Sequence, residues 1–148
     1  MADATVQAAK TPGHLWAVGV VSLLWNSVGA ADFVMTQTRN KDWISGLTPA
    51  QLEFINGFPF WVVAAWGIAV WGGVLGSLFL LLRNRLAAHL FLVSLIAIVL
   101  SKFHNYALSN GLQVMGGAGP LAFAAVILVI GALLWVYARS MCKRGVLR

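Results

Sequence analysis

Four apolar runs, at about residues 14–37, 58–82, 86–104 and 121–138, occupy most of this chain and leave nothing long enough for a separate aqueous domain. Each is long enough to cross a hydrocarbon core of roughly 30 Å as a helix. Lipid offers a backbone no hydrogen bonds, so a spanning segment must satisfy its own, and uninterrupted runs of this length do so as helices. Composition agrees: of 148 residues, 60% are hydrophobic and only 9% charged, with a mean hydropathy of +0.84. That balance excludes an ordinary soluble domain. The expected fold is all-α: one transmembrane domain over residues 1–148, an integral membrane four-helix bundle with short loops.

The ends of the runs give direction. Lys10 precedes the first, which is too long for a signal-peptide core and lacks a small-x-small cleavage site after it, so it reads as a retained signal anchor. Pro59 stands at the start of the second, where a missing amide proton costs nothing. Only Arg83-Asn84-Arg85 separates the second run from the third, which dictates an antiparallel hairpin. Gly116-Gly117-Ala118-Gly119-Pro120 reads as a loop leading into the fourth helix.

With a cytoplasmic amino terminus, the inner side carries Lys10, Arg83, Arg85, Arg139, Lys143, Arg144 and Arg148, against Arg39, Lys41 and Lys102 outside. The positive-inside rule therefore favours both termini in the cytoplasm. The net charge of +6 then reports orientation and contact with anionic headgroups, not nucleic acid. Loop 38–56 becomes the main extracytoplasmic feature, with Thr48-Pro49-Ala50-Gln51 offering a short helix start. It is expected to cap the bundle at the membrane surface. The tail 139–148 is expected to lie on anionic lipid or touch a partner.

Few residues carry chemistry. Gly19, Ser22, Asn26 and Gly29 recur on one face of the first helix, and Asn26 falls near mid-membrane, where its amide must meet another helix or a polar cavity. Asp32 lies near the outer end of that helix and Lys102 at similar depth on the third, so an interhelical ion pair is expected, with His104 and Asn105 extending the polar cluster. Asn26, Asp32, Lys102, His104 and Asn105 are thus the candidate binding or structural polar residues. Gly72 and Gly76, with Gly19, Ser22 and Gly29, form small surfaces for close helix contact. Trp61 suits an aromatic belt, while Trp66 and Trp71 lie deeper and should fill space.

The chain offers no zinc-binding His-Glu-x-x-His, phosphate loop or serine elbow, so no catalytic residue is assigned and no enzyme is expected. The single Cys142 makes neither an intrachain disulfide nor a metal site. His14 and His89 at matching depth are too little to call for haem, so neither metal nor cofactor is expected, and membrane lipid is the expected small-molecule companion. Two function classes follow. A scaffold, accessory subunit or regulator needs only stable helices with packing faces, whereas a small solute or proton-linked transporter would use the Asn26 face with Asp32, Lys102 and His104. A larger membrane complex suits the first and a homodimer the second.

Three stretches, Leu24-Trp25-Asn26-Ser27-Val28-Gly29-Ala30-Ala31-Asp32-Phe33, Gly57-Phe58-Pro59-Phe60-Trp61 and Ser109-Asn110-Gly111-Leu112, resemble a family of small four-helix proteobacterial inner-membrane proteins without an assigned activity. The resemblance covers nearly the whole chain. It implies a bacterial inner-membrane location. Some members carry the label of sugar transporter, but the resemblance supplies no catalytic or binding residue.

Overall fold

A computed structural model describes residues 9–148. These residues form seven α-helices: α1 (Gly13–Gln37), α2 (Lys41–Ile44), α3 (Pro49–Asn56), α4 (Phe60–Leu81), α5 (Leu86–Phe103), α6 (Gly111–Val114) and α7 (Ala118–Lys143). A π-helical turn, His104–Leu108, continues α5. Four of these elements, α1, α4, α5 with its π turn, and α7, are long and apolar enough to cross a membrane. The chain is a multi-span, all-α membrane protein.

Hydropathy marks where lipid begins, not where helix ends. Thus α7 starts at Ala118 and runs to Lys143, beyond the apolar run at both ends. Pro120 falls in its first turn, where no amide is needed, and Arg139, Ser140 and Lys143 prolong the helix with polar side chains that hydropathy counts as its end. Loop 38–56 holds two short helices. The second begins with a capping box: Gln51 N–H donates to Thr48 Oγ1 at 3.2 Å and Thr48 N–H to Gln51 Oε1 at 3.1 Å, with Pro49 in the first turn.

The central pair is α4 and α5. Gly72, Gly73 and Gly76 are buried on α4, and a Cβ on Gly76 would stand 2.8 Å from Phe91 Cδ1, one on Gly72 3.2 Å from Ser94 Cβ. Small residues let these backbones approach, and Ser94 Oγ uses that proximity to donate to Ala69 O at 2.6 Å. Matched positions run in opposite order along the two helices, so the pair is antiparallel. Helix α1 lies on the other side of α4, also antiparallel: Gly19 faces Leu81, Gly29 faces Val70, and Phe33 meets Gly67 and Trp66. Helix α7 packs on α5, with Gly131 against Leu95 and Ile98. It reaches α1 through the His14–Tyr137 and Trp25–Phe123 contacts. In the apolar windows of α1 and α7 only 17% and 11% of residues are buried, against 33% and 28% for α4 and α5, so the outer pair carries most of the open surface.

The tightest core sits at the end of the molecule where the described chain begins and finishes. Leu15, Leu80, Ala87, Ala138, Met141 and Leu147 are buried together there. Gly145, at φ +71°, reverses the chain after α7: its N–H donates to Cys142 O and that of Val146 to Met141 O, a Schellman cap with buried Met141 and Val146 at its apolar contact. The reversal returns Arg148 to the α4–α5 turn, where Arg148 N–H donates to Arg83 O at 2.8 Å and Arg85 N–H to Arg148 O at 3.2 Å. Arg83 also holds Thr11 at 3.0 Å. The tail was expected to lie on anionic lipid or touch a partner; its last residues pack into the core, because Val146 and Leu147 are apolar and Gly145 turns them inward.

Candidate functional site

The polar residues singled out by sequence fall into three separate groups. The deepest is Asn26. One turn after Ser22, its amide nitrogen donates to Ser22 O at 2.9 Å and across to Ser77 Oγ on α4 at 3.1 Å. Ser77 in turn donates to Gly73 O at 2.9 Å, and Ser22 to Gly19 O at 3.1 Å. The Asn26 carboxamide occupies the space a side chain at Gly73 would take. Both amide protons are thus engaged, one within α1 and one across to α4. Behind the amide, a cavity of about 30 Å³ is lined by Asn26, Ser94, Gly73 of α4 and apolar side chains of α1, α5 and α7. That is room for about one water molecule. Among the described residues no buried side-chain polar atom lacks a partner.

The second group centres on Asp32. Helix α1 ends in a Schellman cap with Arg39 at φ +53°, in which Asn40 N–H donates to Met35 O. Asn40 then caps α2 by accepting from Trp43 N–H at 3.2 Å. This double reversal returns the Trp43 indole to α1, where Nε1–H donates to Asp32 Oδ1 at 2.9 Å. Sequence had matched Asp32 with Lys102; the carboxylate is hydrogen-bonded by Trp43 instead. Lys102 stays within the electrostatic reach of Asp32 from α5. Sequence reading gave Trp43 no role beyond its place in loop 38–56. The usable signal was its spacing, just past a helix whose last turns hold an acid.

The third group surrounds His104, at the start of the π turn. Its ring stands edge-on to Phe58 at 5.8 Å and to Trp61 at 5.4 Å, and Phe58 is edge-on to Phe54 at 5.2 Å. Asn105 Oδ1 lies 3.4 Å from its Nδ1 and Ser109 Oγ 3.3 Å from its Nε2. Gly111 follows because the backbone doubles back onto Asn105 O so closely that a Cβ would collide. The π turn and this return leave an open cleft of about 570 Å³ between α3, the Gly57–Pro59 link and α6. Glu53 lines it, as do Phe54, Phe58, His104, Ser109 and Asn110. Sequence reading did not single out Glu53 or Ser109, whose positions depend on two short helices that no periodicity announces.

The remaining histidines lie apart from these groups. His14 shares a 2.6 Å hydrogen bond with the Tyr137 hydroxyl, and His89 is exposed. Among the described residues no three His, Cys, Asp or Glu side chains converge as a metal cluster would. No family model matches the chain, and no curated protein or solved structure matches it either.

Proposed function

We propose that this chain is a multi-pass inner-membrane accessory subunit or scaffold, its four long helices forming an antiparallel bundle with both termini cytoplasmic, which acts through helix packing in the bilayer. The observation that carries this reading is the state of Asn26. Its donors are spent on Ser22 and Ser77, and its carboxamide is seated against Gly73. A mid-membrane amide whose donors are held in that way belongs to the architecture and offers a passing solute no free N–H. The outward surfaces of α1 and α7 then remain for a partner helix. The cytoplasmic placement rests on Arg83, Arg85, Lys143, Arg144 and Arg148, which cluster at the latched end. The bacterial inner-membrane location rests on the three stretches that resemble that family.

The alternative is a small oligomeric transporter. One observation favours it: the cleft beside His104, opening at the end opposite the latch. In that reading a second copy completes a pathway past α1 and α7. Native mass spectrometry of the chain, expressed in its own host and released from lipid nanodiscs, separates the two. A stoichiometric second protein, lost when Val28 on the outward face of α1 is replaced by Trp, supports the accessory role. A homodimer that retains a small solute overturns it.

A further inference from the structure

We propose that the cleft between α3, the Gly57–Pro59 link and the π turn is a binding site for a small organic cation. The proposal stands apart from the accessory role and needs no pathway across the membrane. Three observations lead to it. At about 570 Å³ the cleft has the size of small-molecule sites. Glu53 is the one acidic residue in its lining, and it is exposed to solvent. Its apolar lining includes the aromatic pair Phe54 and Phe58, and aromatic rings attract cations through their faces, alkylated ammonium groups included.

The wall is set before a ligand arrives. Phe54, Phe58, His104 and Trp61 are joined edge to face in sequence, at centroid separations from 5.2 to 5.8 Å, so each ring is held by the next. The capping box fixes the start of α3, and the close seat of Gly111 on Asn105 fixes the opposite wall. Ordering costs on binding are therefore small. Asn110 and Ser109 supply neutral groups that would accept a hydrogen bond from an amine or from a hydroxyl on the same ligand. The chemistry selects a compact ammonium compound, primary to quaternary, over a neutral or anionic body of equal size.

The test uses the full chain in lipid nanodiscs and saturation-transfer NMR with tetramethylammonium, tert-butyl alcohol and acetate as probes. Tetramethylammonium and tert-butyl alcohol are close in shape and differ in charge, and neither resides in the bilayer core. The expected result is saturation transfer to the cation, with affinity falling about fivefold in Glu53→Gln and in Phe58→Leu. Glu53 is exposed, so Glu53→Gln leaves the fold intact, and circular dichroism of each variant checks this. Equal transfer to tert-butyl alcohol, preference for acetate, no transfer to tetramethylammonium, or unchanged affinity in Glu53→Gln would each overturn the assignment.

Discussion

Asn26 and Gly73 form one fitted contact, and its energetics are testable residue by residue. Removing the amide in Asn26→Ala breaks two hydrogen bonds within and between helices; an interhelical bond in a bilayer is worth about 1 kcal/mol. Gly73→Ala should cost about 1–3 kcal/mol, because the new methyl meets the Asn26 carboxamide. In the Asn26→Ala background the same substitution should cost well under half as much, since its obstacle is gone. Reversible unfolding in mixed micelles measures this cycle; additive costs would mean that the two residues do not share the contact. Sequence announced Asn26 because an amide at mid-membrane must find a partner. It could not announce Ser77 as that partner or Gly73 as the space for the carboxamide, since four glycines on α4 compete and only the rotation of α1 about its axis selects one.

At the level of elements, the chain ends are less free than their composition suggests. Leu147 is fully buried, and Leu147→Ala should lower stability by about 2–4 kcal/mol, more than any basic residue of the tail. Equal small losses along the whole tail would contradict a latch. Helix α1 ends with Arg39 in the left-handed region, a conformation that costs a side-chain-bearing residue about 1 kcal/mol and glycine nothing. Arg39→Gly should therefore raise stability by about 0.5–1 kcal/mol and Arg39→Val lower it, both read from the same unfolding transitions. The four apolar runs and the α4–α5 hairpin were legible because the bilayer imposes length and the three-residue link imposes direction. The π turn and α2 were not, because a five-residue and a four-residue element carry no period of their own. The Trp43–Asp32 contact was hidden for the same reason, since α2 is what returns the indole to α1; Lys102 stays within electrostatic reach of the same carboxylate.

Viewed as a whole, the molecule is closed at one end and open at the other. Leu15, Leu80, Met141 and Leu147 seal the end where the described residues begin and finish, while the His104 cleft opens at the far end. Between them Ser22, Asn26, Ser77 and Ser94 each donate a hydrogen bond, and a cavity of about 30 Å³ lies beside Asn26. The proposed accessory role requires this middle to be a dry packing core, whereas a transporter requires a solute route through it. Cys142 is the only cysteine, so a Cys142→Ser background lets single thiols be placed there cleanly. Ser94→Cys and Ser77→Cys put near-isosteric thiols at the cavity and beside Asn26, with Ser45→Cys as an exposed control. The measurement is their reaction with a charged, water-borne methanethiosulfonate in proteoliposomes. Ready labelling at position 45 with none at 77 or 94 is the predicted result; labelling at 94 or 77 that an added solute blocks would contradict it and place a water-filled path through the centre of the molecule.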